Sequence, residues 1–123
     1  MFNKAERREI DYILDIYEKI ERIESKMESK SYSDFYEDSD LNEIVNYNIM
    51  IIGEAISKID MRTLLKYNND KKYWLNIKGT RNFLIHEYHG VDYKLLYKIA
   101  TTLIKDLKVH ISKMIEDRIK EIE

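Results

Sequence analysis

The sequence predicts an all-α protein, an antiparallel bundle of four main helices, and three observations carry that expectation. Proline is absent from the 123 residues and glycine occurs only at Gly53, Gly79 and Gly90, so helix breakers are scarce. Apolar residues recur at three- and four-residue steps over most of the chain, which gathers them on one face of a helix. No segment reads as a strand, and helices with one apolar stripe each bury it by packing on one another.

The first helix is expected from about Lys4 to Ser29, with Ile10, Ile13, Leu14, Tyr17, Ile20, Ile23 and Met27 as its stripe. Ser31 to Asp40 breaks the period and reads as an acidic, aromatic-bearing loop with one short turn at most. Asp40-Leu41-Asn42-Glu43 has the form of a capping box, in which Asp40 accepts an early backbone N–H and Glu43 reaches back. It opens a second helix whose apolar set, Leu41, Ile44, Val45, Ile49, Ile52, Ala55, Ile56 and Ile59, is broad enough for a central element. Asn68-Asn69-Asp70 is a turn cluster, and Tyr73, Trp74, Ile77, Phe83 and Leu84 mark a third helix with Gly79 as a weak point and Gly90 as its stop. Asp92 caps a last helix from Tyr93 to about Ile122, with Leu95, Leu96, Ile99, Leu103, Ile104, Leu107, Ile111, Met114 and Ile115 inward. There is no internal repeat, and residues 1–123 are expected to form one domain.

Composition removes several kinds of chemistry. With no cysteine there are no disulfides, thiolate nucleophiles or zinc–thiolate sites. No apolar run approaches the ~20 residues that span a bilayer, and the charged start, Met1 to Arg8, resembles no signal peptide, so a cytoplasmic protein without membrane contact is expected. The net charge of -2 is unevenly spread: residues 1–57 hold 7 Lys/Arg against 14 Asp/Glu, residues 58–81 hold 7 against 2, and residues 82–123 hold 7 against 7. Lys58, Arg62, Lys66, Lys71, Lys72, Lys78 and Arg81 form the basic middle, as for an approaching anionic polymer or, equally, a solvated helix face.

That basic run leads into Arg81-Asn82-Phe83-Leu84-Ile85-His86-Glu87-Tyr88, where the chemistry is concentrated. An arginine fork holds phosphoryl oxygens bidentately, and a histidine titrates near neutrality and moves a proton either way. On a helix advancing ~100° per residue, Tyr88 returns almost over Arg81, whereas His86 lies ~140° around from it. An ideal helix therefore separates Arg81 from His86. Either the helix is irregular near Gly79, or the arginine of one protomer works beside the histidine of another across a two-fold axis, the alternative we favour. Without such a site, His86 is a satisfied histidine, Arg81 an ion-pair partner of Glu87 or Glu54, and Tyr88 a packing residue with its hydroxyl at the rim. His86 and His89 stand at i, i+3 with no third ligand at sensible spacing, so no metal site is expected, and His110 reads as structural.

Arg81-Asn82-x-x-x-His86-x-Tyr88 resembles the Arg-x4-His-x-Tyr motif of the HEPN superfamily, and of its HepT toxins in particular. Ile51-Ile52-Gly53-Glu54-Ala55 and Trp74-x-x-Ile77-x-Gly79-x-Arg81-Asn82 resemble two further stretches of that family, with Thr80 where many members have methionine. The resemblance covers roughly residues 8–115. It implies an all-helical homodimer that cleaves RNA without metal or other cofactor, and a partner antitoxin with a minimal nucleotidyltransferase fold that modifies Tyr88 with AMP. Arg81, His86 and Asn82 are read as the catalytic set, Asn82 either orienting a catalytic side chain or capping local backbone, with Lys71, Lys72 and Lys78 of the basic run as RNA-binding neighbours. Metal-free cleavage removes a proton from a ribose 2′-OH, stabilises charge at phosphorus and protonates the departing 5′ oxygen. One histidine cannot easily do both proton transfers at once, so two copies of the motif in one site are attractive. The alternative function is a non-catalytic helical subunit that binds nucleotide or substrate for a nucleotidyltransferase.

Overall fold

A computed structural model describes residues 8–122 except 86–89, and for residues 81–85 the backbone alone. Every regular element among the described residues is a helix: α1 (Glu9–Met27), α2 (Tyr32–Glu37), α3 (Ser39–Ser57), α4 (Met61–Tyr67), α5 (Lys71–Ile85), α6 (Tyr93–Lys98) and α7 (Ile104–Ile122). A π-helical turn, Ile99–Leu103, joins α6 to α7 into one continuous rod. The four long pieces are thus α1, α3, α5 and α6–α7, in agreement with the all-α bundle read from the sequence.

Cross-chain contacts fix how the rods run. Glu9 pairs with Arg118, Glu24 with Lys108 at 2.7 Å, and the Tyr97 hydroxyl donates to the Lys30 carbonyl at 3.1 Å, so α1 is antiparallel to α6–α7. The Asp60 backbone N–H, just past α3, donates to the Glu9 carboxylate at 3.4 Å, which sets α3 antiparallel to α1. His110 lies edge-on to Tyr73 and Trp74 near the start of α5, while Gly79 and Thr80 share a groove with Leu95 and Ile99, so α5 is antiparallel to α6–α7. The end of α5, the end of α1, α2, and the starts of α3 and α6 consequently meet at one pole.

The core is aliphatic, with Ile13, Ile16, Ile20, Ile23, Val45, Ile56, Leu64, Leu96, Ile104, Leu107 and Ile111 all within a few per cent of full burial around Phe35 and Trp74. Each buried Ile or Leu removes enough apolar surface from water to contribute about 1.5–3 kcal/mol against chain entropy. One expected member is misplaced: Leu14 is 48 % exposed, and its place in the stripe is taken by Ile16. The π turn accounts for the long inward set of the last rod. Its extra residue per turn shifts phase so that Leu96 before it, Ile99 and Ala100 within it, and Ile104 and Leu107 after it all face the core. The Thr101 hydroxyl follows the widened turn by donating to the Tyr97 carbonyl at 2.8 Å.

Four expectations are corrected. Ser31 to Asp40 is not a loop: α2 lies within it, started by a capping box in which Ser31 Oγ accepts from the Asp34 N–H at 3.1 Å and Asp34 returns to the Ser31 N–H at 3.0 Å. Its period is hidden because only Phe35 is buried. The cap of α3 is Asp38, whose carboxylate accepts from the Leu41 N–H at 3.1 Å, two residues before the Asp40 expected to fill that role. Between α3 and the Asn68 turn lies a separate helix, α4, capped by Asp60 and anchored by the fully buried Leu64. Finally, α5 runs through Gly79 without a break, so Gly79 is not the weak point expected of it. Asp92 caps α6 as expected, accepting from the Leu95 N–H at 3.1 Å, and Gly90 holds a left-handed φ of 75° suited to a chain reversal.

Candidate active site

The helix that carries the motif is positioned from its first turn. The Asn68 side-chain oxygen accepts from the Asp70 N–H at 2.9 Å, and Asp70 accepts from the Lys72 N–H at 3.0 Å, a local Asx arrangement that starts α5. Trp74 is fully buried with its indole N–H donating to the Asn68 carbonyl at 2.8 Å, so the ring pins α5 while satisfying its polar atom. The edge-to-face contacts of Tyr73 and Trp74 with His110 lock the same region onto α7, with ring centroids 5.5 and 5.9 Å from the imidazole. His110 is therefore the structural residue its surroundings indicated. Immediately before the motif, the buried Thr80 hydroxyl donates to the Ile77 carbonyl at 2.7 Å.

Arg81 and Asn82 fall in the final part of α5, on helical backbone. His86, Tyr88 and His89 lie outside the described residues, as do the side chains of Arg81, Asn82, Phe83 and Leu84. The three lysines expected to flank the motif are not equivalent. Lys78 is half-buried and stands three residues before Arg81, a ~4.5 Å rise, whereas the exposed Lys71 and Lys72 start the helix some 14–15 Å away along its axis. Lys78 also projects its charge onto Asp60. That carboxyl is held down at about 2, first by hydrogen bonds from the Arg62 guanidinium and backbone N–H, with the Lys78 field a smaller contribution. Glu54, in the Gly-Glu-Ala segment, forms an ion pair with Lys58 at 3.7 Å.

An apolar groove of about 550 Å³ flanks the motif helix, lined chiefly by Leu75, Gly79, Leu95, Ile99 and Leu103. Leu75 is 49 % and Leu95 37 % exposed in a chain whose other large aliphatics are mostly inside, and a methyl added at Gly79 would meet nothing within 4 Å. The sequence contained a signal for this face that was passed over: Leu75 is apolar but sits off the inward stripe of Trp74 and Ile77, four residues from Gly79.

A family model described as Ribonuclease HepT-like matches residues 16–114, a span that includes all of α3, α4, α5 and the motif. The chain belongs to the HepT-like ribonuclease family. Among curated relatives, the HepT-like chain is 36 % identical over 106 residues to a "Gamma-glutamylcyclotransferase and putative RNase" of Methanocaldococcus jannaschii, covering 86 % of this chain but 47 % of that protein, so it spans about half the length of that relative. It is 28 % identical over 105 residues to a "Putative RNase" of Caldanaerobacter subterraneus subsp. tengcongensis, covering 85 % of this chain and 92 % of the relative. A "Probable ribonuclease HepT" of Thermococcus cleftensis is 34 % identical over 106 residues, covering 85 % and 93 % of the two chains. No solved structure matches. Ribonuclease activity is thus the family-level reading of this HepT-like chain, and no helix among its described residues is long and apolar enough to cross a membrane.

Proposed function

We propose that the protein is the toxin of a toxin–antitoxin pair: a metal-independent endoribonuclease that acts as a two-fold dimer in the cytoplasm and is silenced when a nucleotidyltransferase antitoxin attaches AMP to Tyr88. The observation that carries this reading is the HepT-like family match across residues 16–114, within which Arg81, Asn82, His86 and Tyr88 stand in the Arg-x4-His-x-Tyr order. In the proposed reaction, the His86 imidazole of one protomer takes the proton of a ribose 2′-OH as that oxygen attacks phosphorus. Arg81 neutralises the charge growing on the phosphoryl oxygens, and the partner subunit's His86, protonated, donates to the departing 5′ oxygen. Asn82 orients one of these groups, and Lys78 adds positive potential one turn away.

The dimer is supported by the groove beside α5. An exposed glycine in a helix interior costs about 1 kcal/mol relative to alanine, and nothing among the described residues repays it because they leave the space over Gly79 open. A second helix lying close over Gly79 and covering Leu75 and Leu95 accounts for all three residues.

Purified protein incubated with RNA in excess chelator tests the reading. Full cleavage is expected with the wild type, and a fall of roughly 10²–10⁴ with His86→Ala or Arg81→Ala while helicity is unchanged. Undiminished cleavage by His86→Ala would remove the histidine from the mechanism. Nucleotide-dependent binding to a nucleotidyltransferase with no RNA cleavage at all would favour the non-catalytic subunit instead.

A further inference from the structure

Aromatic side chains concentrate at the pole where α5 ends. Tyr32 and Phe35 of α2 meet Tyr97 of α6 at ring-centroid distances of 5.4 and 5.6 Å, and this buried or half-buried trio fixes α2 on α6. Tyr36 also touches this group, its ring 5.9 Å from that of Tyr32 at 33°, without being enclosed by it. It is 55 % exposed, and it stands edge-to-face with Tyr93 at 5.3 Å and 85°, a geometry in which one ring's edge steadies the other. Tyr93 is five residues after Tyr88, so at most ~18 Å of extended chain separates the two positions.

We propose that Tyr36 and Tyr93 form a stacking step for a base of single-stranded RNA, holding a nucleotide next to the phosphate that is cleaved. This rests on the ribonuclease reading above and adds to it a substrate contact from elements outside the motif. Aromatic rings with a free face bind unpaired bases largely irrespective of sequence, and a ring already braced by a neighbour loses little freedom on stacking. The charges nearby fit a base rather than a backbone. The carboxylates of Asp34, Asp38 and Asp92 are occupied as helix-starting acceptors, where backbone N–H groups offset them. Glu37 and Asp40 remain exposed and disfavour a phosphate, yet can accept from base amino groups, while the exposed Lys94 and Lys98 follow Tyr93 and Tyr97 along α6 and can lead the backbone past.

Binding of fluorescent 2′-O-methyl single-stranded oligonucleotides, which lack the attacking hydroxyl, tests this apart from catalysis. Tyr36→Ala should weaken binding about ten-fold and Tyr36→Phe should stay within about two-fold, because the ring face and not the hydroxyl is used. In the wild type, removing the base at one position should cost the same ten-fold, and that loss should vanish in Tyr36→Ala. Tyr36 is more than half exposed, so the variant is expected to keep the wild-type circular dichroism. Unchanged oligonucleotide affinity in Tyr36→Ala, or an Ala variant that cleaves unmodified RNA with wild-type KM, would overturn the stacking step while leaving the nuclease reading intact. Base-sensitive binding lost in Tyr36→Ala, by a protein that never cleaves RNA, would uphold the step and overturn the nuclease reading.

Discussion

Tyr73 shows how one residue on the motif helix couples the stability of the fold to pH. Its hydroxyl is buried without a hydrogen bond of good geometry among the described residues, while its ring is held between Trp74 and His110. Burial pushes the phenol well above the usual tyrosine range, and the Asp106 carboxylate adds to the rise. An acid whose folded pKa is raised stabilises the fold fully below its unfolded value, here 10.0, and loses that contribution as pH climbs past it, because the unfolded chain releases the proton first. Tyr73→Phe should therefore change stability by less than about 1 kcal/mol at pH 7 but flatten the decline above pH ~10, which urea titrations at pH 7 to 11 would show. An equally steep alkaline decline in the variant would assign it to other groups. At this scale much was legible. His110, between Val109 and Ile111 on the last helix, was read as structural, and its ring packs on Tyr73 and Trp74. The opening over Gly79 was not legible, since a glycine in a helical run looks the same whether a neighbour presses on it or not.

The element that most needs a test is α5. With a single protomer, Gly79→Ala should stabilise by up to about 1 kcal/mol, because alanine is the better helix former and its methyl group has room. If a second copy packs there, the same methyl should weaken association and cut RNA cleavage along with it. Sedimentation velocity over a concentration series, beside thermal unfolding, separates these outcomes, and a stabilised variant that associates as tightly as wild type would place the contact elsewhere. Loss of a cap is a second check at this scale: Asp92→Ala leaves the Leu95 N–H without its acceptor and should cost about 1 kcal/mol. The long helices were legible because their stripes persist for several turns. The short ones were not, since α2 buries only Phe35 and α4 only Leu64, too few points to define a period. The box that starts α2, Ser31 to Asp34, follows the same rule that was applied to Asp40 and Glu43. The competing carboxylate at Asp38 took the role at α3, and no sequence rule ranks two such acids two residues apart.

At the scale of the whole molecule, the antiparallel course of the rods sets the two ends of α5 at opposite poles. One pole gathers the end of α5, α2 and the start of α6, while Lys71 and Lys72 lie toward the other, so phosphates held by them would be several nucleotides from any cleaved at the motif. Control belongs to this scale as well. AMP on Tyr88 would bring bulk and negative charge to the site where an RNA phosphate must bind, and its phosphate could occupy Arg81 through the same charge-assisted contacts. Tyr88→Phe should retain much of the cleavage yet escape silencing by the nucleotidyltransferase and ATP, with mass spectrometry locating the added AMP. Adenylylation at another residue, or equal silencing of the Phe variant, would leave Tyr88 a packing residue. The central claim is that two copies of the chain complete one ribonuclease site, and mixing two inactive chains tests it most directly. Arg81→Ala and His86→Ala proteins, each inactive alone, should regain a small part of the wild-type cleavage once subunits exchange, because a mixed dimer joins one intact arginine to one intact histidine that takes the 2′-OH proton, while the departing oxygen, without the second histidine, takes its proton from water. No recovery after demonstrated exchange, or RNA cleavage by a wild-type protein that stays monomeric, would contradict the account.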